Sequence, residues 1–496
     1  MVAVLGLASA PAAMASPWAE VGDAGLRTDI EVLHQHGLIR GPITTWPIPW
    51  GQISANLRSK DESQLPVYVR RSLRRVQRKL KVGTDSHRLK SSFKVRASVE
   101  PSIVRGFETV ARDEVDARAA AEYMTRHFAG RVSFGYQGQF EIKHGKGVWD
   151  DSYAAVRVGN WLFYGGLLDA WWGPGWESSL LMSNNARPYP KFGFMRYNPT
   201  ATDLPIINWL GPWQINGSVG VLEESGRFID NPLVFAMRGT INPLPGLEIS
   251  AARVLQFCGD AGGTVLTEDL ACGFGDFFQA MGGFNQPGAG AGTLGNSLGG
   301  FSARYTNSFL GQPFAIYGQV IGEDDRRTAG ISLPFELAGL FGLSLWGGIG
   351  DGGLWRITTE YSDSAARFHD SNARFNLFYD HFQYRSGYRY RRRSLGHSLD
   401  ADSRLFSVVG TLTDLRDWTY RLAYRHAEIN RDGASGSAPH SVSRNSESLH
   451  MVEAGLSVPW KKGVFDFRLR LRDNEPNTPG GDSFDFGAEI GWSARF

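Results

Sequence analysis

The chain has 496 residues, with 52 basic against 50 acidic side chains, 60 glycines, 12% aromatic residues and two cysteines. So even a charge balance offers nothing for a nucleic-acid backbone to attract, and no stretch approaches the ~18 unbroken apolar residues of a membrane helix. Nucleic-acid binding and a helical membrane protein are both excluded, while the length allows two or three ordinary domains or one large β architecture.

The chain opens with MVAVLGLASAPAAMAS, a short apolar run ending in the small-residue pattern Ala13-Met14-Ala15. It reads as a secretory signal over residues 1–15, cut after Ala15, although the positive n-region is missing. From Asp23 to about Gly83 the period is helical. Leu26, Ile30 and Leu33 share one face, Asp23 is placed to cap the start, and Gly37 is a stop. A second helix follows in LPVYVRRSLRRVQRKL: Val69, Leu73, Val76 and Leu80 form one stripe, and Arg70, Arg71, Arg74, Arg75, Arg78 and Lys79 cover the other side. That basic face has two readings, a solvated surface or a contact with anionic headgroups or an acidic polymer. His34 and His36 make only an H-x-H, and the other histidines lack metal-ligand spacing, so no metal and no cofactor is expected.

From about Ser92 the period changes from 3.6 to 2. In VSFGYQGQFEIK, Val132, Phe134, Tyr136, Phe140 and Ile142 alternate with Ser133, Gln137, Gln139, Glu141 and Lys143. In FQYRSGYRYR, Phe382, Tyr384, Tyr388 and Tyr390 alternate with Gln383, Arg385, Arg389 and Arg391. The dyad returns in WTYRLAYR, FDFRLRLR and the final SFDFGAEIGWSARF, which sets Phe484, Phe486, Ile490, Trp492 and Phe496 on one face and Asp485, Glu489 and Arg495 on the other. One apolar and one charged face on strands of ~9 to 11 residues suits a barrel whose outside meets hydrocarbon and whose lumen meets water. At ~20 to 25 residues per strand and connection, the roughly 400 residues give 16 to 20 strands. A terminal aromatic, Phe496, resembles the insertion signal of bacterial outer-membrane barrels. The alternative is a soluble β-sandwich.

The lumen face carries the row Arg385, Arg389, Arg391, Arg421, Arg425, Arg468, Arg470 and Arg472. Free, this row could filter anions in a porin; paired with Asp466, Glu453 and Glu489, it could not. The run from Gly282 to Gly300 contains chance matches to G-x-G-x-x-G and, around Ser297, G-x-S-x-G. Neither has the strand-turn-helix setting its chemistry requires, and the run reads as a surface loop. No nucleophile or carboxylate pair stands out for catalysis. Cys258 and Cys272, fourteen apart, suit a disulfide in an exported loop.

One segment remains: Trp172-Gly173-Pro174-Gly175-Trp176, Ser178-Ser179-Leu180 and Ser183-Asn184-Asn185-Ala186-Arg187-Pro188. It resembles the signature of the capsule assembly Wzi family. LRTDIEVLHQHGLIRGPITTWPIPWGQI, with its Thr45-Trp46-Pro47 turn, is similar to that family's N-terminal segment. The resemblance implies an all-β fold, a large transmembrane antiparallel barrel of about 18 strands over residues 92–496, with a small periplasmic helical bundle over residues 16–91. It also implies a lectin-like, non-catalytic role in holding capsular polysaccharide at the surface of a Gram-negative cell. Trp172, Trp176, Glu177, Asn184, Asn185 and Arg187 suit a sugar: indole faces stack on a pyranose, Glu and Asn bond vicinal hydroxyls, and Arg forks an acidic sugar's carboxylate. The alternative is a constriction folded into the lumen, its tryptophans packed and Arg187 paired to Glu177. The partners expected are surface polysaccharide, outer-membrane lipid and the barrel assembly machinery, and the barrel is expected to act as a monomer.

Overall fold

The computed structural model describes residues 17–55, 57, 62–85, 87–140, 145–202, 205, 207–260, 295–328, 331–370, 372–461, 463–477 and 484–496. The segment read as a signal peptide lies outside them, and Cys272 and most of the Gly282–Gly300 run lie outside them too.

Alternating side chains build one closed antiparallel barrel of 18 strands. In chain order these are β1 Lys90–Val99, β2 Val115–Met124, β3 Phe128–Gly138, β4 (interrupted, Lys146–Val148 and Tyr153–Val158), β5 Trp161–Gly166 and β6 Lys191–Arg196. Then come β7 Trp213–Val221, β8 Leu233–Leu244, β9 Leu247–Phe257, β10 Asn296–Phe309, β11 Gln312–Thr328 and β12 Ile331–Ile349. The last six are β13 Gly353–Asp363, β14 Arg404–Thr413, β15 Thr419–Ile429, β16 Glu447–Trp460, β17 Gly463–Arg472 and β18 Asp485–Arg495. β18 pairs with β1 to close the wall, from Ala488 opposite Val99 to Arg495 opposite Ser92.

The period-2 pattern sorts as hydrocarbon outside and charge inside demand. Leu422, Leu469, Phe486 and Ile490 are exposed on the outer face, while Arg425, Arg470, Glu453 and Glu489 are buried. Phe496 pairs its backbone with Ser91 in both directions (2.8 and 3.1 Å) and sets its ring edge-on to Phe93.

Three sequence expectations need correction here. FQYRSGYRYR is no barrel strand; it belongs to the 364–403 connection between β13 and β14, where Arg389–Tyr390 and Arg393–Ser394 pair as a small hairpin. Its tyrosines alternate because they pack inward, not because lipid lies on one side. VSFGYQGQFEIK leaves the sheet after Gly138, and Glu141 to Lys143 lie outside the described residues. Asn296–Gly300, read as the end of a surface loop, instead begins β10. There Gly300 has no room for a Cβ against the carbonyl of Val320, so what looked like loop composition is close backbone packing.

Connections such as 159–160, 245–246, 310–311 and 350–352 are short at one end, and those at the other, such as 100–114, 167–190 and 364–403, are long. Helices α1 (Ala24–Gln35), α2 (Trp50–Ser54) and α3 (Val67–Thr84) close the short-turn end. Asp23 caps α1 by accepting from the Leu26 amide at 2.9 Å, and Gly37 takes up φ 66 beyond its end. The apolar stripes meet as expected, with Ile30, Leu33, Val69, Leu73 and Val76 all in one buried cluster. The basic face of α3 is partly engaged: Arg71, Arg75 and Arg78 reach Asp417 in the β14–β15 turn, and Arg75 also holds Asp29. That same cluster runs on through Trp46, Phe107, Trp171, Leu180, Trp346, Tyr379 and Tyr388, so the hydrophobic core lies inside the barrel.

Candidate functional site: a filled lumen and its mouth

The lumen fills in layers. Lowest is α1, whose Glu31 is bound by Arg27 of the same helix (3.2 Å), Arg304 of β10 (3.0 Å) and Arg356 of β13 (2.7 Å). All four are at most 3% exposed. Burial alone would raise the Glu31 carboxyl, but the guanidinium groups of Arg356, Arg304 and Arg27 hold it at about 2. Beside the helix, Glu248 of β9 accepts the amides of Ile43 and Thr44 (2.9 and 3.1 Å) and the Thr44 hydroxyl, while Arg238 of β8 donates to the hydroxyls of Thr45 and Thr44.

The next layer is the Trp171–Pro188 segment. Trp171 and Trp172 pair antiparallel with Trp46 and Thr45, which fixes the segment on the helical unit below it. Phe107 sets its ring edge-on to Trp46 (5.0 Å), Trp171 (5.6 Å) and Trp176 (6.0 Å). Gly106 permits this approach, since a Cβ there would sit 2.8 Å from the Trp176 carbonyl. The top layer is the 364–403 connection: Tyr388 donates to the Leu181 carbonyl at 2.8 Å, Tyr379 to that of Leu180, and Ser183 Oγ to that of Gly396 at 2.6 Å.

The six side chains suited to a sugar are thus dispersed through a packed plug and do not converge on an open face. Trp172 is buried, and the Trp176 ring has the guanidinium carbons of Arg27 and Arg356 each 4.2 Å from its centroid. Asn184 and Asn185 donate to the main-chain carbonyls of Phe107 and Ser394. Glu177 takes Arg421 (2.7 Å) and Arg425 (2.6 Å) from the wall, and Arg187 pairs with Asp150 (2.6 Å), not with Glu177.

The arginine row divides in the same way. Arg421, Arg425, Arg468 and Arg470 do face the lumen, but they converge on Glu453 (2.5, 3.6, 3.7 and 3.1 Å), with Arg470 also on Glu489 and Arg472 on Asp485. They are no free filter. Arg385, Arg389 and Arg391 are not in the wall at all: Arg385 lies over the Phe228 ring, Arg389 grips Asp380 and Asp400 (both 2.7 Å), and Arg391 occupies the hairpin turn. A cavity of about 50 Å³ remains between the plug and the β1–β3 wall, lined by charged groups that include Glu20, Arg96, Arg105, Glu108, Arg112 and Asp116.

The family model for capsule assembly protein Wzi matches residues 85–472. The chain belongs to the capsule assembly protein Wzi family. A Klebsiella pneumoniae relative, described as an uncharacterized 55.8 kDa protein in cps region, is 28% identical over 492 residues, covering 96% of this chain and 89% of its own. The solved structure of Escherichia coli Wzi, described as an outer membrane protein involved in group 1 capsule assembly and a carbohydrate-binding β-barrel, superposes with a TM-score of 0.80. That match is at 22% identity over 96% of this chain and 99% of that one. Within this Wzi-family barrel, several residues were not flagged by the sequence pattern: Glu31, Glu248, Arg105 and Arg393. Glu31 alone had a local signal, as a charge four residues after Arg27 beside the apolar face of α1.

Proposed function

We propose that this Wzi-family barrel sits in the outer membrane, with its helices at the periplasmic end, and holds capsular or other extracellular polysaccharide at the cell surface without cleaving it. Short turns facing the periplasm and long loops facing outward is the usual orientation of such barrels. The observation that carries the reading is the filled lumen. With α1, the Trp171–Pro188 segment and the 364–403 connection stacked inside the wall, what is offered to a polymer is the long-loop face and not a through-path. Family membership supplies the ligand class, since the E. coli relative is described as carbohydrate-binding and the K. pneumoniae relative as lying in a cps region.

Non-cleaving binding is supported by the state of three lumen carboxylates. A glycosidase needs one carboxyl to give a proton and another to act as base or nucleophile. Glu177, Glu453 and Glu489 are each locked to one or more guanidinium groups, which suits structure and not proton exchange. Trp172, Trp176, Glu177, Asn184, Asn185 and Arg187 act in this reading by shaping the mouth from beneath. The barrel works as a single copy, its apolar belt in lipid, after insertion by the barrel assembly machinery.

The test pairs a pull-down on purified surface polysaccharide with a cell-surface capsule assay, for wild type, Trp176→Ala and Arg187→Ala. Wild type is expected to bind, and each variant to lose about 1 to 3 kcal/mol of binding with the barrel still assembled. A wild type that retains neither polymer nor capsule removes the function. Variants that bind in full reduce the segment to a structural plug.

A further inference from the structure

Ion pairing inside this barrel is so extensive that its exceptions are informative. Arg105, in the 100–114 connection, is 6% exposed, and its guanidinium meets only the main-chain carbonyls of Asn185 (2.9 Å) and Arg112 (3.0 Å), leaving Nε without a partner. Arg393, in the small hairpin of the 364–403 connection, has a buried Nη1 with no partner, and among the described residues its side chain makes no hydrogen bond or ion pair. Arg112 is held by Asp169 at 3.0 Å, yet its Nη1 is buried and unpartnered as well. Asn185 ties the group together: its carbonyl accepts from Arg105, and its amide donates to the carbonyl of Ser394, next to Arg393.

These cations oppose one another. Burial, followed by the charges of Arg393 and Arg112, pushes Arg105 well below its ordinary value; burial lowers Arg393 against the pull of Asp400, and Arg112 adds to the lowering. Nothing in the local chain requires such crowding. The hairpin that carries Arg393 even turns through Arg391 and Arg392 at φ 49 and 61, a left-handed region that residues with a Cβ avoid. Crowded buried charge at one spot, in a lumen where most other buried arginines meet a carboxylate, marks a missing anion. A carboxylate fits best, because its two oxygens match the fork of a guanidinium and can take several donors at once. Arg393 is only half-buried, and Arg105 and Arg112 line the cavity of about 50 Å³, which has room for a carboxylate group and not for a whole sugar ring.

We propose that Arg105, Arg112 and Arg393 form a subsite for one anionic substituent of the glycan, the carboxylate of a uronic acid, whose oxygens take the unpartnered Nε and Nη1 donors. This rests on the polysaccharide-binding reading above and assigns it a chemical group and three residues.

The experiment uses the full-length protein in detergent and the purified surface polysaccharide of the producing cell, native and after chemical reduction of its carboxyl groups to alcohols. Native polymer should bind, and carboxyl reduction should weaken binding by about 10- to 100-fold, as should Arg105→Gln or Arg393→Gln. Arg416→Gln, on an exposed short turn, should change nothing. Heat-modifiable mobility shows whether each variant is assembled, and if the Arg105 variant is not, the reduced polymer decides without any substitution. Free glucuronate should compete at lower concentration than sulfate; equal competition would mean a general anion trap and overturn the uronate assignment. Native binding that survives both carboxyl reduction and Arg393→Gln overturns the subsite and leaves polysaccharide binding standing. If native polymer does not bind wild type at all, the broader reading fails first.

Discussion

Glu31 shows how much one side chain is asked to hold. It joins the helical unit to β10 and β13 through Arg304 and Arg356, at 3% exposure, so removing its charge leaves three guanidinium groups, those two and Arg27, buried without an anion. Glu31→Gln is expected to destabilise the docking of α1 by about 3 kcal/mol, the scale of breaking a buried ion pair from one side, seen as faster amide exchange in α1 with the barrel intact. His397 gives the pH counterpart. Burial lowers it to about 4, and its Nε2 lies 2.8 Å from Ser362 Oγ. Since the folded pKa lies below the ordinary 6.5, the unfolded connection takes up a proton first. The stability of this side chain's docking is therefore full above about 6.5 and is lost as pH falls through about 4. Limited proteolysis of the 364–403 connection should accelerate between pH 7 and pH 4, and His397→Gln should flatten that dependence.

At the scale of elements, legibility tracked solvent. Strands β15, β17 and β18 could be read because lipid on one side and a charged lumen on the other impose period 2 on every residue. The 382–391 stretch shows the same period for another reason. Its Tyr388 hydroxyl donates to the Leu181 carbonyl inside the plug and its Tyr384 hydroxyl to that of Cys258 just beyond β9, and Arg389 meets Asp380 and Asp400, so alternation alone cannot distinguish lipid from a packed interior. The β1–β18 seam yields a prediction. Phe496 contributes two backbone hydrogen bonds and an aromatic contact to that seam, so its deletion should lower the heat-modifiable fraction and leave degraded or periplasmic material; normal levels of assembled barrel would count against its role as insertion signal. Cys258, just beyond β9, carries the other element-scale expectation. We propose that it pairs with Cys272, closing a loop worth ~3 kcal/mol in the chain-entropy model. Thiol labelling of the unreduced, denatured protein should find no free thiol, and two reactive thiols would end the idea.

For the whole molecule, the filled lumen predicts electrical silence. Purified protein in planar bilayers should show no porin-sized conductance steps, because the wall arginines that could form an anion filter are neutralised on Glu453, Glu489 and Glu177 and the bore is occupied. Steady steps of that size would reopen the porin reading. By itself, the sequence determined the class of the fold: strand period, strand length and the apolar belt follow from the two solvents a membrane wall must face, and each strand answers to them locally. The helix stripes and the Asp23 cap were local in the same sense. Only the tertiary structure decided the fate of the charges. Whether an arginine faces water, a carboxylate or another arginine depends on partners such as Glu31 and Arg304, or Glu177 and Arg421, that are far apart in the chain. For that reason the tryptophan-rich segment could be recognised from its residues while its burial within the plug could not, and the guanidinium groups of Arg105 and Arg393 could be seen to lack a carboxylate only once their surroundings were in place.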